Sequence, residues 1–114
     1  MSTIFSKIIN KEIPANIIYE SENVLAFKDI NPQAPVHILI IPKIEIEKVT
    51  DFNGSEHAGL LGEMIEAANK IAKDLGIADD GFRLVFNCGE NGGQEVYHLH
   101  LHLLGGRKMN WPPG

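Results

Sequence analysis

Three of the five histidines, His98, His100 and His102, stand at alternate positions between residues 97 and 104. Successive side chains of a β-strand point to opposite faces, so this spacing predicts three imidazoles on one face and three leucines on the other. The leucine face belongs in a core, whereas burying imidazole rings costs free energy unless each ring has a partner. Imidazole titrates near neutral pH and can act as nucleophile, acid, base or metal ligand. We therefore expect this strand to carry the functional site.

A metal site is one interpretation of this strand, since His-x-His pairs bind zinc. At a rise of ~3.3 Å per residue, the backbones of His98 and His102 lie ~13 Å apart. A regular strand therefore cannot direct all three rings at one ion, although two rings could bind it together with an outside ligand. His37, Asp29 and Glu95 are candidates for that ligand, but their carboxylates are not obviously arranged for it.

Nucleophilic catalysis is a second interpretation, because a neutral imidazole can attack phosphorus and form a covalent intermediate that water then cleaves. His100 is the central ring, with a histidine on either side that can hold phosphate oxygens or supply a proton. The preceding Gly92-Gly93-Gln94 segment would let backbone N–H groups approach a phosphate closely. A solvated, histidine-rich edge strand is the third possibility, which strict alternation beside a glycine turn makes less attractive.

The remaining pattern predicts an α+β fold, in which a five-stranded antiparallel sheet carries one long helix and a short N-terminal helix. Apolar residues at spacings of three and four mark the long helix, with Ser55 at its start and Gly76 at its end. The central strand is mostly apolar and β-branched, which is typical of burial on both faces. The predicted helices are Ile4–Ile9 and Ser55–Leu75, and the strands are Ile17–Glu20, Val24–Lys28, Val36–Ile41, Phe82–Asn87 and the histidine strand.

Composition limits the possible partners. The 114 residues are expected to form one domain, residues 1–114, and the net charge of -5 argues against nucleic-acid and anionic-membrane binding. A small phosphate ligand remains compatible with this charge, because backbone N–H groups can bind it. The lone Cys88 excludes an intramolecular disulfide and a multi-cysteine zinc site. The N-terminus does not look like a signal peptide and no apolar run reaches ~20 residues, so we expect a cytoplasmic protein.

The histidine strand resembles the signature of the histidine triad (HIT) superfamily, in which three histidines alternate with apolar residues. Further segments resemble the Hint branch, the histidine triad nucleotide-binding proteins, over nearly the whole chain. They are Phe5-Ser6-Lys7-Ile8-Ile9, Glu12-Ile13-Pro14, Ala26-Phe27-Lys28-Asp29-Ile30, Pro32-Gln33-Ala34-Pro35-Val36-His37, Gly92-Gly93-Gln94 and Gly105-Gly106-Arg107. Other branches, such as the dinucleoside polyphosphate hydrolases, lack this Gly-Gly-Arg continuation.

The resemblance implies a purine nucleoside phosphoramidase, which hydrolyses the P–N bond of adenosine or guanosine 5'-phosphoramidates, including amine and lysine conjugates of AMP. His100 would be the nucleophile and would carry a nucleotidyl-histidine intermediate. His102 would contact the phosphate, and His98 would orient the nucleophile and assist the leaving group. His37 matches a further family histidine on the leaving-group side. The resemblance implies neither a metal nor another cofactor.

For the nucleotide, the resemblance implies that Asp29 holds the ribose hydroxyls beside Ile30. The phosphate would be lined by Asn87, Gly93, Gln94 and Glu95. Some relatives have serine where this chain has Glu95, and a carboxylate there would favour a cationic amine leaving group. Taken singly, several of these residues have simpler interpretations: a histidine in an apolar strand is usually a core residue, and an aspartate before a proline loop is usually a turn former.

The resemblance also implies a homodimer whose two sheets join edge to edge, with the tail around Trp111 reaching the partner's active site. A protein of a different class would share the same pocket: a non-enzymatic purine-nucleotide-binding or scaffold protein in which turnover is incidental. A metal-dependent His-x-His hydrolase is the remaining alternative. The sequence leaves these alternatives open.

Overall fold

A computed structural model describes residues 2–114, with two helices and five strands in the predicted order. The elements are α1 (Ile4–Ile9), β1 (Ile17–Glu20), β2 (Val24–Lys28), β3 (Val36–Pro42), α2 (Ala58–Asp74), β4 (Phe82–Phe86) and β5 (Leu101–Gly105), with one 3₁₀ turn at Val49–Asp51. The α+β prediction is confirmed, whereas the joining of two sheets across a dimer stays a prediction. Within the described residues, no helix combines the length and apolarity that a bilayer crossing requires.

The sheet is antiparallel throughout, in the order β1-β2-β3-β5-β4. Its central strand is β3, as the β-branched run at 36–41 predicts, and six of its seven residues are buried. The register places Leu39 opposite His102 on one side and opposite Phe27 on the other. His37 pairs with Leu104, two residue pairs along the ladder from His102, so the two histidines lie diagonally on the same face of neighbouring strands.

Each face of β3 belongs to a different core, because its side chains alternate. Ile38 and Ile40 face α2, whereas Leu39 and Ile41 face α1. The α2 side is completed by apolar residues of the helix and by two leucines of β5, and the α1 side by helix and strand residues near the N-terminus. These residues are Met64, Ala67, Ala68, Ile71, Ala72, Leu101 and Leu103 on the α2 side, and Phe5, Ile8, Leu25 and Phe27 on the α1 side.

The long helix begins at Ala58, so the predicted start at Ser55 is wrong by three residues. The Asn53 side-chain oxygen accepts hydrogen bonds from the backbone N–H groups of Ser55 and Glu56, and also from the Ser55 hydroxyl. This local bonding competes with helix formation and turns the segment before α2. The predicted end is confirmed, since α2 stops at Asp74 and Gly76 follows.

The histidine strand is shorter than predicted, because β5 begins at Leu101. His98 and His100 therefore precede the strand, and only His102 stands on regular β-structure. The backbone N–H of Leu99 donates to the carbonyl of Ile46, 2.6 Å away in the loop after β3, instead of joining the sheet. The His98 carbonyl is occupied by the His100 ring at 2.7 Å. Both bonds divert this stretch from the ladder and place the three rings at different depths.

Candidate active site

A cleft of about 650 Å³ opens on the α1 side of the sheet and contains most of the predicted site residues. One wall is apolar and comes from α1, the segment that follows it, and β2. The other wall is polar and comes from β3, β5, and the loops around residues 29–33 and 87–96. The predicted residues on the cleft are Asp29, Ile30, His37, Asn87, Gly93, Glu95, His100 and His102. Three predicted residues, His98, Gln94 and Trp111, are not part of its lining.

His100 presents an unprotonated ring nitrogen to this cleft. Its Nδ1 lies 2.7 Å from the carbonyl oxygen of His98, which can only accept a hydrogen bond, so Nδ1 carries the proton. In the neutral ring this leaves the lone pair on Nε2. The side chain is 7% exposed, and the ring of Phe5 packs edge-on against it at 5.1 Å with an interplanar angle of 86°. The ring is thus fixed in orientation by one hydrogen bond and one aromatic contact.

His102 presents the opposite state, a protonated ring nitrogen. The backbone N–H of Gln33 donates to Nδ1 of His37 at 3.0 Å, so a neutral His37 carries its proton on Nε2. That N–H faces Nδ1 of His102 at 2.9 Å, which makes His102 the acceptor there and leaves its own proton on Nε2. Nε2 of His102 is buried and has no hydrogen-bond partner within residues 2–114. A buried donor without a partner is costly, so this N–H is available for a ligand.

All four rings are held neutral at pH 7. Burial lowers the pKa of His37, His98 and His100, and hydrogen bonds or nearby carboxylates offset this only in part. Burial, reinforced by the possible charges of His100 and His37, lowers the pKa of His102 to about 4. The rings of His100 and His102 lie 4.9 Å apart, so a proton on one opposes a proton on the other. Neutral rings are the state that both hydrogen-bond assignments require.

His98 is buried behind the wall of the cleft and bonds main-chain groups there. Its side chain is 1% exposed, and its Nε2 donates to the carbonyl of Pro42 at 2.8 Å. Its own carbonyl receives the His100 proton. This geometry favours the orienting part of the role predicted for His98, because the ring does not reach the cleft where a leaving group would lie.

The Gln94 side chain also forms hydrogen bonds with main-chain groups. Its side-chain oxygen accepts from the Gly89 N–H, and its Nε2 donates to the carbonyls of Glu47 and Val96 at 2.8 and 3.0 Å. The amide therefore joins the glycine turn to the loop after β3 and directs nothing into the cleft. Sequence reasoning placed Gln94 at the phosphate, whereas the geometry assigns it to the support of that wall.

The glycine turn at 89–94 is tightly folded. A Cβ at Gly92 would overlap the backbone of Cys88, so this position requires glycine. The N–H groups of Gly93 and Gln94 donate to the carbonyls of Glu90 and Gly89, both at 3.0 Å. These two amides are therefore engaged within the turn, although Gly93 itself lines the cleft.

Asp29 stands where β2 leads into a proline loop, at the mouth of the cleft. One carboxylate oxygen accepts from the Asn31 N–H at 2.8 Å, and the other lies 3.5 Å from Nε2 of His37. The neighbouring Ile30 is 97% exposed. Asp29 is thus a turn former, as an aspartate before a proline loop usually is, and it is also a carboxylate beside His37 and His102.

Trp111 lies away from the cleft of its own chain. The tail is attached to the sheet by Arg83 of β4, which donates to the carbonyl of Asn110 at 2.8 Å. The Trp111 side chain is 83% exposed. The structure leaves this indole without a role inside the chain, and the predicted contact with a partner's site stays a prediction.

Asp29, His37 and His102 are also the group most suited to a metal, since their ligand atoms lie within 4.8 Å of one another. The closest pair, Nε2 of His37 and Nδ1 of His102, is separated by 2.9 Å. Two ligands at about 2.0–2.1 Å in a tetrahedral zinc site lie about 3.3 Å apart. The observed separation therefore fits a shared proton better than a shared ion.

Sequence reasoning missed the apolar wall and one backbone donor. Ile4, Phe5 and Ile8 of α1 reach the cleft together with Phe27. The N–H of Gln33, which sets the state of His37, has no signature in a sequence. The apolar residues Ile4, Phe5 and Ile8 are the signal that could have indicated a buried face on α1, but only the folded chain shows that this face packs beside His100.

The chain and its fold match a known family. The HIT domain model matches residues 10–109. The "Purine nucleoside phosphoramidase" of Escherichia coli is 59% identical over 107 residues, 94% of this chain and 89% of that protein. The "14 kDa zinc-binding protein" of Zea mays is 56% identical over 114 residues, 98% of this chain and 88% of that protein. The structure of a "HIT family hydrolase" from Legionella pneumophila Philadelphia 1 superposes with a TM-score of 0.96 at 52% identity, covering 99% and 100% of the two chains. The chain belongs to the HIT superfamily, in its Hint-like branch.

Proposed function

We propose that this protein is a purine nucleoside phosphoramidase that cleaves the P–N bond of adenosine or guanosine 5'-phosphoramidates. The observation that carries the proposal is the complementary state of two neighbouring rings. His100 offers a lone pair on Nε2, and His102 offers an N–H on Nε2, at rings 4.9 Å apart. A lone pair and a hydrogen-bond donor side by side suit an electrophilic phosphorus and one of its oxygens.

In the proposed first step, Nε2 of His100 attacks phosphorus and the P–N bond to the amine breaks. The proton on Nδ1 stays with His100, where the His98 carbonyl stabilises the positive charge that the ring acquires on nucleotidylation. The Nε2–H of His102 donates to a phosphate oxygen as negative charge develops on it. The expelled amine takes its proton from a water molecule. A second water then attacks phosphorus, the bond to Nε2 of His100 breaks to restore the neutral ring, and the proton that this water loses goes to the hydroxide left by the first.

The two walls of the cleft suit the two ends of a nucleotide. The base would lie against the apolar wall that Phe5, Ile8 and Phe27 provide, and Asp29 would accept from the ribose hydroxyls beside Ile30. Asn87, at the end of β4, would donate to the phosphate, since the amides of Gly93 and Gln94 are engaged in their own turn. Glu95 lies on the same cleft near His100, where a carboxylate favours a cationic amine.

A homodimer belongs to the same proposal. The β4 strand forms one edge of the sheet, and all five of its residues are half-buried. Pairing two such edges would give a continuous sheet and would satisfy the unpaired backbone groups. The tail that Arg83 holds at this strand would then stand beside the partner.

Chemical trapping tests the covalent step. His100→Asn removes the nucleophile, and we expect turnover of an adenosine phosphoramidate to fall by at least about 10⁴-fold while AMP binding is retained. Rapid quenching of the wild-type protein should show nucleotide attached to His100 by mass spectrometry. Turnover without nucleotide on protein, or nucleotide on another residue, would contradict the mechanism. AMP binding with no turnover in the wild type would favour the non-enzymatic nucleotide-binding alternative.

Metal-dependent hydrolysis is a second candidate, because Asp29, His37 and His102 come together and one relative is named for zinc binding. The 2.9 Å separation of the two ring nitrogens argues for the metal-free reaction. We therefore expect prolonged chelation, followed by removal of the chelator, to leave turnover unchanged. Loss of turnover that zinc restores would put the metal-dependent reaction first.

A further inference from the structure

The Gly105-Gly106-Arg107 turn lies next to the site, and the proposed reaction gives it no task. Arg107 Nη2 donates to the carbonyl of Gln33 at 3.0 Å. Its other terminal nitrogen, Nη1, donates to the carbonyl of Lys108 at 3.2 Å. The guanidinium thus links the chain after β5 to the proline loop before β3. Gln33, whose carbonyl Arg107 holds, is also the residue whose backbone N–H donates to Nδ1 of His37.

The turn is also packed tightly against that loop. Gly106 has φ +87°, and a Cβ there would lie 2.8 Å from Cβ of Pro35. Gly105 pairs with Val36 at the start of the β3–β5 ladder. The backbone of residues 105–106 therefore sits directly on residues 35–36, and Arg107 extends this contact to Gln33. Only glycine at 106 allows so close an approach.

Asp29 does not depend on this link. Its N–H donates to the carbonyl of His37 at 3.0 Å, and its carboxylate accepts from Asn31. Gln33 has one other attachment within the loop, from its side-chain Nε2 to the carbonyl of Asn31 at 3.0 Å. Loss of the Arg107 bond would therefore loosen the Gln33 backbone without opening the loop or moving the ribose-side carboxylate.

We propose that Arg107 is a positioning residue for the histidine pair. By holding the Gln33 carbonyl, it keeps the Gln33 N–H on Nδ1 of His37, which keeps the His37 proton on Nε2. That proton bonds Nδ1 of His102 and so maintains the N–H that His102 presents to the cleft. The ionisable groups facing His37 are Asp29, from the loop after β2, and His102, from β5. The effect on rate rests on the proposed function, whereas the effect on the state of His37 does not.

The test compares Arg107→Met with Lys108→Met, which removes the same charge at the next position. Imidazole ¹⁵N NMR of the labelled, ligand-free protein at pH 7.5 reports which ring nitrogen of His37 carries the proton. We expect wild type and Lys108→Met to show a single Nε2–H form. Arg107→Met should show averaging between the two forms, and Arg107→Lys, which retains one donor, should fall between them.

Kinetics supply the second measurement. In Arg107→Met we expect kcat to fall about tenfold, with KM within about twofold of wild type, because a group that orients the reacting ring is loosened while Asp29 stays in place. The Gln33 N–H opposes protonation of His37, so loosening it raises the pKa of His37. The acid limb of kcat should therefore move to higher pH in Arg107→Met.

An unchanged His37 spectrum in Arg107→Met would overturn the proposal. A loss of kcat that follows the loss of thermal stability, with the His37 spectrum intact, would overturn it as well. Averaging of the His37 signals in a protein with no phosphoramidase activity would leave the positioning role intact and reject the proposed function.

Discussion

The state of each reactive ring is set by a main-chain group. A carbonyl faces Nδ1 of His100 and an N–H faces Nδ1 of His37, and exchanging these two groups would reverse the polarity of the site. A backbone carbonyl only accepts a hydrogen bond and a backbone N–H only donates one. The positions of the ring protons on His37 and His100 therefore hold wherever these rings are neutral. Side-chain neighbours adjust it through charge, whereas the main chain decides which nitrogen carries the proton.

The first prediction at this scale is the pH dependence of turnover. Burial lowers the pKa of His37, His98 and His100 below the ordinary histidine value, and lowers the pKa of His102 to about 4, so the four rings are mainly neutral at pH 6.5 and above. We expect kcat/KM to be flat between pH 8 and about 6.5, the value for an unperturbed histidine, and to fall only below it, as protonation removes the lone pair of His100. An acid limb centred at or above pH 6.5 would contradict this.

The same shifts predict the control that the pH experiment needs. In the unfolded chain His37, His98, His100 and His102 bind protons near pH 6.5, whereas in the folded protein their lowered pKa values mean that they bind protons at lower pH. The unfolded state therefore gains protons first, and the free energy of unfolding falls as pH falls from about 6.5 towards 4. Circular dichroism at each pH separates this loss of folded protein from the loss of the reactive ring.

Much of the site is readable at this scale. The alternation of His98, His100 and His102 pointed to the candidate site, the resemblance added Asp29 and His37, and all of these except His98 line the cleft. The Gln33 N–H could not be predicted in this way, because every residue except proline has one and only the folded loop aims it at His37. The engagement of the Gly93 amide within its own turn is equally invisible in the sequence.

At the scale of elements, hydropathy patterns located every helix and strand. The ends of α2, β3 and β4 differ from the prediction by one residue each, and hydrogen bonds outside those patterns moved the starts of α2 and β5 further. The β1 and β2 strands and the α1 helix have the predicted ends, because their apolar spacing and their turns agree. The α2 helix starts late because the Asn53 side chain takes two backbone amides. The β5 strand starts late because Leu99 bonds the loop at Ile46.

The shortened β5 has a chemical consequence. On a regular strand, three rings would form an even row along one face, ~13 Å from first to last. The break before Leu101 sends His98 inward to Pro42 and leaves His100 beside His102 at 4.9 Å. The break thus places one of three identical side chains behind the cleft and leaves the other two on its wall.

At the scale of the whole molecule, the cleft is open to solvent on one side. It is bounded by α1, the proline loop and the glycine turn, and Ile30 at its mouth is 97% exposed. Trp111 is 83% exposed on a tail attached to the edge strand β4. Exposed apolar side chains are common singly on soluble proteins, so a partner at this surface rests on the proposed dimer and not on exposure alone.

The last prediction concerns this tail. In the proposed dimer, Trp111 lies on the leaving-group side of the partner's cleft, and the prolines after it stiffen the segment and limit the entropy lost on docking. Removing Asn110–Gly114 should change the ratio of kcat/KM between aromatic and small aliphatic amine conjugates of AMP by roughly three- to tenfold, the value of one aromatic contact.

The dimer and the binding of AMP should survive this truncation, because the tail follows the inner strand β5 and contributes no residue to the edge strand β4. Trp111→Ala is the matched variant, and it should reproduce most of the change if the indole is responsible. Light scattering on both variants and on the wild type gives the mass in solution. An active wild-type monomer, or a truncated protein that ranks every leaving group as the wild type does, would reject the role of the tail.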